Sequence, residues 1–189
     1  MATVQIGHLN AIDVRDLYPD DPAYETRDLD VIDAKIIHHS VTPAWGDPLA
    51  AIAAIYASHR RQGWSGIGYH LVVGWDGRIY LAGGAETIRA GVYGRNETSY
   101  HIVLLGDFTD ATPDLRQLMA ARRLLAELDY SLGRFIPTYG HRGYAGPGQG
   151  TACPGNTFGF WLGLLTDPDP GGAIKDLAGH VTGADPLRP

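Results

Sequence analysis

The 189-residue chain holds a single cysteine, Cys153. No internal disulfide can form, which excludes a disulfide-stapled secreted scaffold and leaves the thiol three uses: metal ligand, nucleophile or packing. Lys and Arg are nowhere concentrated and the formal net charge is -6, so the electrostatic footprint of DNA or RNA binding is missing. No 18 apolar residues occur in succession, and no segment reads as a membrane span. The opening MATVQIGHLNAIDVRD lacks the basic start and apolar run of a secretion signal, and no internal repeat is present. What the chain does have is 44% apolar residues, enough to give a single domain of this length a core of its own.

Three regions are expected. Residues 1–33 are acidic and turn-rich (Asp13, Asp16, Asp20, Asp21, Asp28, Asp30, Asp33) and read as an arm packed on the domain. Residues 34–166 carry the periodic segments, and 167–189 are rich in Pro, Gly and Asp, as in a linker or frayed end. Within the central region, Lys35–Thr42 is a short β-branched run containing His38 and His39, read as a strand closed by Pro43. Asp47 then Pro48 forms a cap with proline at the first helical position, and Leu49, Ile52, Ala53 and Tyr56 follow at helical spacing up to Gly63. Tyr69–Trp75 and Arg78–Leu81 flank Asp76-Gly77, a pair suited to a type I′ hairpin turn. His101–Gly106 is apolar on both faces, which fits a strand covered on both sides or a short buried helix. Thr112-Pro113-Asp114 caps a second helix with a stripe of Leu115, Leu118, Met119, Leu125 and Leu128 up to Gly133. A short helix over about 156–165 closes the domain. This order predicts an α/β fold, a mixed central sheet flanked by helices, which by itself decides nothing about function.

Taken singly, the chemistry-bearing residues have plain readings: His38 and His39 as polar residues at a strand end, His141 as a solvated loop histidine, Cys153 as a small buried hydrophobe. Taken together, two imidazoles and a thiolate are ligand types that zinc prefers, and three protein ligands leave a fourth tetrahedral position for a catalytic water. With no second cysteine to complete a closed structural site, an open catalytic site is the better zinc reading. Sequence spacing alone does not establish it, since only the fold can bring His38 to Cys153.

From about Lys35 to about Trp161 the chain resembles the zinc-dependent N-acetylmuramoyl-L-alanine amidases, the amidase type 2 family that includes peptidoglycan recognition proteins and phage lysozyme-type amidases. The matching segments, in the family's order, are IIHHSVT (36–42), GWSGIGYHLVVGWDGRIY (63–80), VLLGDF (103–108), GHR (140–142) and TACPG (151–155). The resemblance implies a peptidoglycan recognition protein-like amidase fold and hydrolysis of the amide between N-acetylmuramic acid and L-alanine in bacterial peptidoglycan. It implies Zn²⁺ held by His38, His141 and Cys153, with Tyr69 as the active-site tyrosine and Thr151 as a polar helper. Such a nearby phenol can donate a hydrogen bond to a developing oxyanion. The expected partner is a muropeptide, with no nucleic acid, no membrane insertion and a monomeric state. Without a signal segment, synthesis in the cytoplasm and action on the wall after release, as a phage endolysin, is expected, with a cytoplasmic recycling enzyme or a bacterial autolysin as the other settings.

The chain departs from the family at three places. The connection from His141 to Cys153, containing GYAGPGQG, is several residues longer than usual and suggests a mobile or substrate-shaped rim. Many relatives have a substrate-holding histidine in the segment matching Ala90-Gly91-Val92, and this chain has none there. His101 stands where relatives usually have a small residue, and could line the cleft or change the packing locally. Strand alternation points His39 away from His38, and His70 away from Tyr69, where a structural role is expected. Trp45, Trp64 and Tyr93 are expected at the core or rim, with stacking on substrate as the other option. Two rival functions remain: a recognition module that binds muropeptides without cutting them, and a cysteine hydrolase using Cys153 with His141 as base. Against the latter, Pro154 offers no backbone N–H for an oxyanion hole.

Overall fold

A computed structural model describes residues 1–167, so the tail expected over 167–189 lies, beyond Asp167, outside the described residues. The architecture is the expected mixed sheet flanked by helices. Seven strands stand in the order β1-β2-β5-β4-β6-β3-β7: β1 Thr3–Ile6, β2 Leu9–Asp13, β3 Ala34–His39, β4 Leu71–Val73, β5 Ile79–Leu81, β6 Ser99–Leu104 and β7 Thr138–Gly140. The helices are α1 Pro48–Arg61, α2 Leu115–Ser131, the one-turn α3 His141–Tyr144 and α4 Phe158–Thr166.

The N-terminal arm does more than pack on the domain. Its β1 and β2 form an antiparallel hairpin with Thr3 opposite Ile12, and β2 runs parallel to β5, Ile12 opposite Tyr80. The sheet therefore crosses the expected boundary between residues 33 and 34. Val4 and Ile6 turn inward against the core while their neighbours face solvent, a four-residue alternation that the surrounding acidic residues hide from a reading by composition.

The Asp76-Gly77 turn also differs from expectation. Gly77 has φ +81° while Asp76 keeps a negative φ, whereas a type I′ turn needs positive φ at both central residues. Gly77 N–H donates to the Gly74 carbonyl and Gly74 N–H to the Arg78 carbonyl, both at 2.9 Å. This is a type I turn followed by a left-handed glycine, the three-residue hairpin loop, and it still pairs Val73 with Ile79.

Both long helices begin as the side chains dictate. Asp47 accepts from Leu49 N at 3.0 Å ahead of Pro48, and Asp114, one residue past Pro113, accepts from Arg116 N at 2.8 Å. In α2 the buried stripe is Leu118, Ala121, Leu124, Leu125 and Leu128, while Leu115 and Met119, expected within it, are exposed. Alternation along β3 and β6 divides the interior. Ile37, Ile102 and Leu104 face α2 and α4, whereas Val72, Val103 and Tyr80 face α1 with Ile52 and Ile55. The segment His101–Gly106 is thus strand, buried on both faces.

Strands β4, β6, β3 and β7 are mutually parallel. Their carboxyl ends open on one side of the sheet, the usual location of ligand sites in open α/β sheets.

Candidate metal centre

His38 lies near the carboxyl end of β3, opposite Val103 of β6, on the α1 side of the sheet and 1% exposed. His141 follows directly on β7 as the first residue of α3, which makes it a strand-end residue rather than the free loop histidine that the sequence suggests. Cys153 arrives from the far side of the 142–152 loop, and Arg142 holds it there. Arg142 N–H donates to the Cys153 carbonyl at 2.8 Å, and its guanidinium donates to the carbonyls of Thr151 and Ala152 and to Asn156 Oδ1. The residue next to one candidate ligand thus staples the segment that carries another. Thr151 acts in the same place: its hydroxyl oxygen accepts from Cys153 N at 3.1 Å, a short-range turn of the kind Ser and Thr favour. After Pro154, Gly155 has φ +115° and lies against the Phe108 carbonyl, where a Cβ would collide with it.

One ligand atom from each of His38, His141 and Cys153 falls within 4.8 Å of the others, and this trio is the only such His/Cys/Asp/Glu group among the described residues. Cys153 Sγ stands 3.6 Å from His38 Nδ1. With Zn–N of about 2.05 Å and Zn–S of about 2.3 Å, a tetrahedral angle separates N from S by about 3.6 Å, so the donor set fits zinc in type and in spacing. Burial, reinforced by the neighbouring imidazoles of His101 and His141, holds the pKa of His38 well below the usual histidine range, and burial also lowers that of His141. Both rings are therefore in the neutral form a metal requires. Burial pushes the Cys153 thiol up to about 12; a bound cation would reverse that preference.

His39 is turned to the other face, as alternation requires. Its Nδ1 accepts from Phe108 N at 3.1 Å and lies 3.7 Å from an Asp107 oxygen, and only its backbone N–H, donating to Cys153 Sγ at 3.4 Å, reaches the cluster. His70 is fully buried in a structural setting, with Nδ1 accepting from His101 N at 2.9 Å and Nε2 at 2.9 Å from the Thr87 carbonyl.

The Tyr69 ring sits 4.9 Å from that of His38. Among the described residues its hydroxyl has no hydrogen-bond partner, and burial, with Cys153 nearby, raises its pKa, so the phenol keeps its proton. A residue not apparent from sequence supports it: His59 of α1 packs against Tyr69 at 5.4 Å and against Trp64 at 4.3 Å, while its Nδ1 accepts from Gly68 N at 3.0 Å. Trp64 is thus packed, whereas Trp45 and Tyr93 are 77% and 84% exposed, in the open positions that stacking would need.

His101 lies one strand over from β3, opposite Ile36 and fully buried. Its ring is lodged against Gly91, where a Cβ would collide with the imidazole. Gly91 and His101 therefore belong to one packing arrangement. In the long loop, Tyr144 is pinned rather than loose: its hydroxyl donates to Asp33 Oδ1 at 3.0 Å, its ring stacks on Tyr139, and Arg95 lies over its face.

The fold and this cluster define a peptidoglycan amidase-type domain, and comparison with known proteins agrees. The sequence profile of the N-acetylmuramoyl-L-alanine amidase family Amidase_2 matches residues 28–156, well over half of the chain, and the chain belongs to that family. It is 35% identical over 128 residues to peptidoglycan-recognition protein LB of Drosophila melanogaster, covering 64% of this chain and 53% of the relative. Against human N-acetylmuramoyl-L-alanine amidase it is 30% identical over 131 residues, covering 64% of this chain but 22% of the human protein. The chain thus spans about half or less of the length of these two relatives. Among solved structures, the complex of peptidoglycan recognition proteins LCa and LCx with tracheal cytotoxin aligns with a TM-score of 0.71 and 26% identity, covering 84% of this chain and 96% of that one. The endolysin amidase LysCS of Clostridium intestinale aligns with a TM-score of 0.66, covering 79% and 90%; at 22% identity this likeness is one of fold.

Proposed function

We propose that the chain is a zinc-dependent N-acetylmuramoyl-L-alanine amidase that hydrolyses the amide between N-acetylmuramic acid and L-alanine in bacterial peptidoglycan. The observation that carries this reading is the convergence of His38, His141 and Cys153 at the carboxyl ends of the parallel strands, with their ligand atoms within 4.8 Å of one another. When bound there, zinc supplies Lewis acidity, polarising the scissile carbonyl and making water a nucleophile near neutral pH. The protein's own residues do the rest. His38 and His141 present neutral imidazoles. The protonated Tyr69 hydroxyl, without an internal partner, donates to the carbonyl oxygen as that atom gains negative charge. Thr151 holds the Cys153 segment through the hydrogen bond it accepts from Cys153 N. Trp45 and Tyr93, both exposed, offer apolar faces on which sugar or peptide could stack. Among the described residues no helix is long and apolar enough to cross a membrane. A monomer acting on the wall, as a phage endolysin or an autolysin, is the setting this proposal carries.

Two rival readings make different predictions. A recognition module, suggested by the likeness to peptidoglycan-recognition protein LB, binds the wall and releases nothing. A cysteine hydrolase needs Cys153 as thiolate, yet burial holds this thiol at about 12, far from the depressed values of nucleophilic cysteines. Treating the purified protein with a chelator, then adding back zinc, separates the three. The amidase loses turnover on purified cell wall and regains it with zinc; activity that survives complete metal removal supports the cysteine hydrolase, and binding without released peptide in zinc-loaded protein supports the recognition module.

A further inference from the structure

His101 and Asn96 lie outside the ligand trio, yet a continuous line of polar contacts joins them to it. Asn96 Oδ1 accepts backbone N–H groups from Gly91 at 3.0 Å and Val92 at 2.7 Å, which identifies that atom as the amide oxygen, an acceptor only. His101 Nε2 stands 3.2 Å from it. A hydrogen bond there requires the proton on His101 Nε2. In a neutral imidazole the other nitrogen, Nδ1, is then a bare acceptor, and it lies 3.2 Å from His38 Nε2. That contact in turn requires the proton on His38 Nε2. The remaining nitrogen of His38, Nδ1, is left with its lone pair exposed, and it is the atom 3.6 Å from Cys153 Sγ. Starting from one fixed amide oxygen, the protons along the line have a single consistent arrangement, and it ends with a free lone pair directed at the cluster.

We propose that His101, anchored by Asn96, is a positioning residue that fixes the Nε2–H tautomer and the ring orientation of His38, so that Nδ1 is presented for metal binding. The inference rests on the metal-centre reading above and deepens it. Metal-bound histidines are commonly oriented by a hydrogen bond from their other ring nitrogen to a neighbouring acceptor; here that acceptor is a second imidazole from the adjacent strand. His101 is fully buried and has little room to rotate. Its backbone N–H donates to His70 Nδ1 at 2.9 Å, and its ring lies so close to Gly91 that any side chain at that position would displace it.

The test reads proton positions first and affinity second. In the metal-free protein at neutral pH, imidazole ¹⁵N NMR should show both His38 and His101 as Nε2–H tautomers. His101→Phe keeps a ring but removes the acceptor; His38 should then populate both tautomers, and zinc affinity, measured by chelator competition, should fall about 10- to 100-fold, the usual cost of losing such a partner. His101→Asn restores an acceptor atom close to the position of Nδ1 and should recover affinity to within about threefold of the parent. Finding His38 protonated on Nδ1 in the parent overturns the proposal, as does a His101→Phe protein that folds and binds zinc within about threefold of the parent. The tautomer measurement needs neither zinc nor turnover, so a parent protein that failed to bind zinc would defeat the metal-centre reading while the arrangement of protons was still decided on its own.

Discussion

Cys153→Ala is expected to abolish stable zinc binding and, with it, turnover on purified cell wall. The loss should exceed the roughly 100-fold at the upper end of what removing only a ligand's hydrogen-bond partner costs, because the thiolate is one of three protein donors and the one that neutralises a charge on the metal. The fold should survive, since a small side chain at a half-buried loop position leaves the core of α2, α4 and the central strands untouched. His38→Ala should match it. His39→Ala should not: its imidazole faces Phe108 N, so its loss leaves a buried donor unpaired, at about 1–3 kcal/mol of stability, while close to one zinc per chain is retained. Elemental analysis and thermal unfolding of the three variants separate these outcomes. Zinc lost from His39→Ala but kept by His38→Ala would mean that the facing of β3 is reversed.

Tyr69→Phe is expected to lower turnover by about 10²–10³-fold, the typical effect of deleting one donor to a developing oxyanion, roughly 3–4 kcal/mol of transition-state stabilisation. The substitution keeps the ring that packs between His38 and His59, at centroid distances of 4.9 and 5.4 Å, so folding and zinc content should be unchanged. The phenol's raised pKa keeps the donor protonated through neutral pH. A purely structural Tyr69 would leave turnover within about threefold of the parent, too small a change for a lost oxyanion donor, and that result at equal zinc occupancy would remove it from the mechanism.

What the sequence disclosed of this molecule follows from how local each feature is. The two long helices and the strand bearing His38 were legible because caps (Asp47-Pro48, Asp114) and runs such as Ile36-Ile37 are written within a few residues, whereas the apolar run Ile102-Val103-Leu104 fitted strand or buried helix until its pairing with β3 was known. The N-terminal hairpin was not, because only Val4 and Ile6 of β1 turn inward and the strand that joins the hairpin to the sheet, β5, lies dozens of residues away. The Asp76-Gly77 pair located the hairpin but not its turn type, since the glycine's positive φ serves either geometry until its neighbour's φ is known. In the site, the ligand trio came from residue chemistry and family resemblance. Its supports did not: Arg142 bridging to the Cys153 segment, His59 behind Tyr69, and the His38–His101–Asn96 line all depend on side chains meeting across elements, with no periodic trace. The fit of Gly91 to His101 is likewise visible only where β6 passes the 90–92 segment.

Mass spectrometry of the soluble products released from purified cell wall by the zinc-loaded protein tests the central claim most directly. The account predicts free stem peptides with an unblocked N-terminal L-alanine, alongside glycan strands left uncut. Fragments that still join muramic acid to the stem peptide, or no soluble peptide at all from protein carrying one zinc per chain, would contradict it.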